Sequence, residues 1–429
     1  MSVLAGLLLL MQSAGALVGA LNEESPQKRN DVYLQLLRDK PAEAPALVEN
    51  QIAGWRPEAQ ELGIYLINSY PPDVSVPSLR RLSASKAVLV NVSAAAQLLR
   101  LGYPEAEAGL VKALKKADIP AQDWPRLIGR MYGLRQGALS QVLVERIRAQ
   151  AADDELRALL DHFVVVSDPR AHPAVAALLT QDGIDDERRL SLCAFLVSQG
   201  DDSRMAELET LLAKVGGPGL GRNYRLFEHA PRLSPGVLAV VAKLAESEPA
   251  GLALNAVRLL GQFGTAKEMP ALERLVESKD TLLSKYALEA LQKRTGNVPR
   301  ESLVRVLAGT DEQRVLAAAD ALRRADDASG FERVLAIAGG STPARAEALR
   351  VLGRFRRMEG VEVLLGGLDA PDEGVRIAAD EALRMLLPNL FPYRRFEFQT
   401  VGYDPRGAPQ ARAQAIQRYR SFWEQARRR

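Results

Sequence analysis

His162, His172, His229, Cys193 and the run Gly216-Gly217-Pro218-Gly219-Leu220-Gly221 are the places where this chain could do metal, nucleophilic or phosphate chemistry. A metal cage needs ligands that converge from one helix face or from paired loops, and the sequence has no i, i+4 histidine pair and no second cysteine. His162 and His172 flank the loop breaker Asp168-Pro169. Cys193 sits in Leu192-Cys193-Ala194-Phe195-Leu196, a setting that suits an inert core thiol better than a nucleophile. The glycine run lacks the Lys-Ser/Thr of a phosphate loop and any preceding strand pattern, so it reads as a flexible loop between helices. The sequence therefore assigns no catalytic residue, no cofactor-binding residue and no metal ligand.

A second polar pattern is periodic. Taking Ala256, Ala290, Ala321, Ala348 and Ala382 as anchors, one residue before each stand Asn255, Glu289, Asp320, Glu347 and Glu381. Two residues after each stand Arg258, Gln292, Arg323, Arg350 and Arg384. At 100 degrees per residue, Glu381 and Arg384 lie opposite Ala379 and Ala382 and look outward. An acid three residues before an arginine is a favourable helix pair worth a few tenths of a kcal/mol. Two readings follow: a solvated, self-paired face, or a polar groove that binds another protein through Arg258, Glu289, Gln292, Asp320, Arg323, Glu347, Arg350, Glu381 and Arg384. A phosphate-binding groove is disfavoured, because most of these arginines have a carboxylate one turn away and few counterions would be released.

The anchors recur at steps of 34, 31, 27 and 34 residues, with Cys193 two periods upstream of Ala256. Each unit has room for two helices joined by a turn such as Gly309-Thr310-Asp311 or Asp369-Ala370-Pro371-Asp372-Glu373. Val375, Ala379, Ala382 and Leu383 share one helix face, and Val361, Val363, Leu364, Leu365 and Leu368 supply its partner. One such pair cannot bury both faces, so successive pairs must stack. The expected fold is all-α, an elongated α-solenoid of antiparallel helical hairpins.

The stretch from Ala370 to Leu383, a turn Asp followed by Val375-Arg376, then Ala379 and Ala382-Leu383, resembles the HEAT-repeat family, in the short form also found in phycobilisome-lyase-like repeats. The resemblance implies that the second helices line a concave groove. Arg376 has Val315 and Ser284 at the equivalent positions, so the family's Asp-Arg ladder should not run continuously. HEAT-like hydroxylases place iron on His-Glu dipeptides, and only the reversed Glu228-His229 occurs here. Residues 172–388 are read as HEAT-like repeats. Residues 21–171, with amphipathic stretches at 32–37, 58–67, 90–101 and 105–114, are degenerate repeats or a separate helical domain.

Residues 389–429 are aromatic and arginine-rich, with nine arginines against Glu397, Asp404 and Glu424. Gly402-Tyr403-Asp404-Pro405 followed by Phe422-Trp423 looks like the terminal motif of exported bacterial HEAT-repeat proteins. Independently, Pro409 suits the first turn of a helix whose Ala415, Ile416, Tyr419, Phe422 and Trp423 form one apolar face. A solenoid exposes apolar surface at its last repeat, so the candidate cap comprises Tyr403, Asp404, Ile416, Tyr419, Phe422 and Trp423. The alternative is a helix for a partner or an anionic surface, with Arg427, Arg428 and Arg429 as its most suggestive residues.

With 56 Lys and Arg against 53 Asp and Glu, the net charge of +3 argues against a nucleic-acid polymer as partner. The leading functional reading is a non-enzymatic scaffold that binds a protein or peptide of unknown identity without a cofactor. A bilin or tetrapyrrole lyase-type accessory and, behind it, a nucleic-acid binder are the alternatives. Residues 1–20 carry no charge and the apolar run Leu4–Met11 precedes small-residue sites at Ala14-Gly15-Ala16 and Val18-Gly19-Ala20, which reads as a bacterial export signal leaving no membrane span once removed. A cytoplasmic first helix or a retained anchor are the other readings, since no basic residue precedes Lys28. Sequencing the N-terminus of protein recovered from the native cell checks the export reading: a start at Leu17 or Leu21 is expected, and an intact Met1 in a soluble cytoplasmic fraction refutes it.

Overall fold

The computed structural model describes residues 13–116, 118–149, 151–295, 300–391 and 398–427. Among them there are helices and turns but no strand. The chain is an all-α solenoid, in which helices pair into antiparallel hairpins and pack on the equivalent helices of the hairpins beside them. It divides into two compact units, residues 1–211 with 225–231, and residues 212–224 with 232–429.

In the first unit, the stretches read as amphipathic become the helices Pro26–Asp39, Pro57–Asn68, Val88–Arg100 and Ala106–Lys116. Pro26, Pro57 and Pro72 each stand in the first helical turn, where a missing N–H costs nothing. Leu36, Val48, Ile52, Trp55, Ile64 and Leu79 belong to one core that also takes in Leu17, Val18 and Leu21. Both small-residue sites near the start therefore lie in or beside the packed helix Ala14–Ala20, while the run Leu4–Met11 lies outside the described residues. Among the described residues no helix is long and apolar enough to cross a membrane.

Among the described residues of the second unit, five hairpins follow one another. Their second helices are Ala250–Phe263, Thr281–Thr295, Glu312–Arg324, Arg345–Arg354 and Glu373–Leu390. The turn aspartates start three of these: Asp280 accepts from Leu283 N (2.8 Å), Asp311 from Arg314 N (3.1 Å) and Asp372 from Val375 N (2.9 Å). All five anchor alanines are buried. Arg376 takes no ladder position; its guanidinium, buried, donates to the carbonyls of Ala370, Pro371 and Pro405.

The glycine run is a correction to the sequence reading, for it is a kinked helix rather than a loop. Gly216 takes a left-handed φ of 74°, which breaks the stretch Met205–Arg222. The helix then resumes, with the Gly217 N–H held by Glu248 Oε1 at 2.9 Å and Leu220 fully buried.

His162, on the helix Asp153–Val166, is fully buried edge-on against Phe163, and neither ring nitrogen has a hydrogen-bond partner. Burial holds its pKa down to about 4, against a small opposing pull from Asp168. The unfolded chain, with an ordinary histidine, binds a proton below pH ~6.5 that the folded chain refuses until about 4. Stability is thus unaffected above that window and falls on acidification through it, by up to about 1.4 kcal/mol per pH unit. His162→Phe should match or exceed the wild type at pH 7, and its advantage in urea melts should grow between pH 6.5 and 4.5; a constant difference would refute the assignment.

Candidate functional site

The second helices of the second unit carry the periodic polar residues, and the register of the stack decides which of them meet. Asp320 and Arg323, three residues apart on Glu312–Arg324, pair at 3.0 Å. Glu347 and Arg350 pair at 3.6 Å. Arg350 also reaches the next hairpin, where Nε donates to Glu381 Oε2 at 3.0 Å. Arg384 pairs with Asp380 at 2.7 Å and lies over the Phe398 ring, with 5.3 Å to the centroid. The expected Glu381 and Arg384 pair is thus replaced by two others, because i+4 sets Arg384 over Asp380 while Glu381 faces the preceding helix.

Asp320 differs from its sequence reading as an outward residue. It is only 8% exposed and is held by three guanidinium groups: Arg323, Arg324 at 2.6 Å and Arg354 at 3.3 Å. Arg324 also donates to Gln292 Oε1 at 2.6 Å, and Arg294 to the Gln262 carbonyl at 3.1 Å. Arg294, Arg324, Arg354 and Arg384 recur at 30-residue steps, a regularity in the sequence that the anchor frame passes over. The first three bind the second helix of the preceding hairpin, forming a side-chain ladder along the stack.

At the other end of this face, the Arg258 guanidinium lies over two half-buried rings, 5.4 Å from the Tyr224 centroid and 5.9 Å from that of Tyr286. Arg258 itself is exposed, and so is Glu289, one turn beyond Tyr286. Neither tyrosine carries an anchor offset, so the periodic reading missed both; the spacing of Tyr286 to Glu289 and the position of Arg258 between the two tyrosines, about one repeat from each, were the available signals.

The cap residues form one assembly. On the helix Pro409–Arg427, Ala415, Ile416, Tyr419 and Trp423 are buried and Phe422 is half-buried. Trp423 Nε1 donates to Glu362 Oε1 (2.7 Å) and Tyr419 OH to Asp380 Oδ1 (2.7 Å). Burial, with Asp380 alongside, pushes the Tyr419 phenol well above the ordinary tyrosine range. Tyr403 OH donates to the Leu368 carbonyl at 2.5 Å, and its phenol is pushed up to about 12, chiefly by burial. Asp404 stays exposed and accepts from Arg406 N, so it shapes the turn rather than the contact. Tyr393, Phe396, Arg428 and Arg429 lie outside the described residues.

The candidate chemistry of the first unit is dispersed. Cys193 is fully buried, and burial together with neighbouring Glu207 pushes its thiol up to about 12. His172 lies 3.6 Å from Asp201. His229 is exposed, with Nδ1 2.8 Å from the Arg225 carbonyl, on a cleft of about 510 Å³ shared with Ser167, Ser198 and Gln199. Ser198 Oγ is turned to the Phe195 carbonyl at 2.6 Å.

No family model matches the sequence, and no curated protein matches it. Solved structures give wider likeness. One is an engineered protein, 18% identical over 89% of this chain and 99% of its own, with a TM-score of 0.29. A second is the karyopherin Kap121p bound to the extreme C-terminus of the protein phosphatase Cdc14p, 12% identical over 89% of this chain, with a TM-score of 0.41; this chain spans 50% of its length. A third is Kap95p with RanGDP, 10% identical over 96% of this chain and 67% of that one, with a TM-score of 0.42. Likeness this distant carries neither activity nor partner across.

Trp423→Ala should remove a buried contact and the bond to Glu362, costing on the order of 3 to 5 kcal/mol. Loss at one end of a nearest-neighbour stack opens the adjacent hairpins first. Amide hydrogen exchange should accelerate between Ala348 and Leu387 while the first unit stays protected. Unchanged exchange, with the wild-type indole open to a soluble quencher, would assign the aromatic face to a partner instead.

Proposed function

We propose that this chain is a non-enzymatic scaffold that binds another protein along the second-helix face of its second unit. The observation that carries the reading is the Tyr224, Arg258 and Tyr286 stack. Tyrosine and arginine dominate the energetic centres of protein interfaces, because they supply large, stiff contact area with polar edges. Here the two tyrosines are part-exposed and lie against the arginine, and the helices that carry Arg258 and Tyr286 are tied together by Arg294. A preorganised patch of this kind loses little freedom when a partner covers it.

Kinship with HEAT-repeat proteins belongs to the same proposal, supported by the Asp372-capped run through Val375, Arg376, Ala379, Ala382 and Leu383. So does export from a bacterial cell, supported by the uncharged apolar N-terminal run.

Cross-linking the full chain in extracts of the native cell, followed by mass spectrometry, tests the function. Partner peptides should map to the second helices between Ala250 and Leu390, and Arg258→Ala with Tyr286→Ala should cut their recovery by about tenfold or more while circular dichroism stays unchanged. Equal recovery with the double variant would sink the proposal. Stoichiometric binding of a tetrapyrrole, or a salt-sensitive shift of duplex DNA or RNA, would move the assignment to the accessory-lyase or nucleic-acid reading.

A further inference from the structure

Around Asp320 the charges do not balance. Arg323, Arg324 and Arg354 surround one carboxylate, and their side chains remain 27%, 49% and 38% exposed. Asp320 Oδ1 takes Arg323 and Oδ2 takes both Arg324 and Arg354, so its two oxygens serve three guanidinium groups that carry fifteen N–H donors between them, and Arg324 turns one further donor to Gln292. Three like charges crowded about one carboxylate repel each other, and a second carboxylate at their open side would relieve that repulsion. One hairpin further on, the sign reverses. Arg350 stands between Glu347 at 3.6 Å and Glu381 at 3.0 Å, two carboxylates to one guanidinium.

We propose that this pair of clusters sets the partner's register, with an acidic side chain of a bound peptide segment seated on Arg323, Arg324 and Arg354, and a basic one on Glu347 and Glu381. Packed helices lie about 8–10 Å apart, so the two charges should be about three residues apart on an extended segment. The inference rests on the protein-binding reading and specifies the chemistry of what binds there. It also qualifies the view of this face as self-paired: both Asp320 with Arg323 and Glu347 with Arg350 do pair, but each cluster keeps an excess of one sign.

Fluorescence anisotropy at low salt with octaglutamate, using the full chain, tests the acidic subsite. Octaglutamate should bind, Arg323→Gln and Arg324→Gln should each weaken it about two- to fivefold, and Arg427→Gln on the final helix should leave it unchanged. Asp320→Asn is the discriminating variant. It removes the internal competitor, so it should strengthen octaglutamate binding even as it lowers stability, whereas a purely structural Asp320 would lower stability alone. Arg323→Gln leaves the bonds between hairpins intact, which keeps the test valid if a ladder variant fails to fold. No binding, binding indifferent to Arg323 and Arg324, or displacement of octaglutamate by duplex DNA with the same arginine dependence would overturn the proposal. If that happens while partner capture still depends on Arg258 and Tyr286, the charge register alone is wrong; if both dependences vanish, the face is not where a partner binds.

Discussion

A Cβ placed on Gly353 would stand 2.8 Å from the Cβ of Ala382 and 3.0 Å from its Cα. The same holds one end of the stack away, where a Cβ on Gly261 would meet the Ala290 Cβ at 2.9 Å. Ala382 and Ala290 are two of the periodic anchors, so the second helices of neighbouring hairpins touch backbone to methyl. Gly367 against Ala379 repeats the arrangement within a hairpin at 2.8 Å, and Gly330 against Ala319 repeats it at 2.6 Å where one hairpin's second helix meets the start of the next hairpin. Any larger residue at these points forces apart two helices whose apolar faces are otherwise buried, and the displacement passes to each neighbour in turn. Small side chains at the crossings are the condition under which the hairpins of the second unit pack this closely.

The polar face follows from the same contact. Because the second helices lie close, an arginine near the end of one can reach across to the helix before it, as Arg354 does to Asp320 and Arg324 to Gln292. Exposed ion pairs contribute little each, so the ladder's main effect is to hold orientation rather than to supply stability. Asp320 is another matter, since a carboxylate buried to this depth is tolerated only where donors replace its water. The stack supplies those donors from two hairpins at once, and in doing so it leaves more positive charge at the surface than the carboxylate can neutralise.

What the sequence makes legible is what repeats locally. Turn aspartates, anchor alanines and the aromatic spacing of the last helix each act within one hairpin or one helix face; the aspartates and alanines stand in the fold where their patterns put them, and on the last helix Ala415, Ile416, Tyr419 and Trp423 are buried while Phe422 is half-buried. The pairing of Arg354 with Asp320 spans 34 residues, and which row meets which depends on a helix offset that repeat steps of unequal length do not specify. Tyr224 and Tyr286 escaped notice for a related reason: neither shares the offset that defined the stripes. The glycine run was misread because glycine and proline ordinarily end a helix, whereas here Pro218 opens the first turn of the next piece and Glu248, just past the end of the helix Pro235–Ser247, satisfies the freed N–H.

The last helix shows why an apolar cover alone would not finish this solenoid. Against the last helix the final hairpin presents two kinds of surface: apolar groups, and the carboxylates of Asp380 and Glu362, which accept from it. Leucine or isoleucine would cover the first and strand the second, leaving a desolvated Asp380 with Arg384 as its remaining partner. Tyr419 and Trp423 do both, because each sets a large ring on the apolar surface and turns a single donor toward a carboxylate. The rings of Tyr419 and Trp423 are thus explained by the carboxylates they satisfy as much as by the core they cover, and the last helix also brings cations, with Arg420 and Arg427 at 3.9 and 3.8 Å from Glu362.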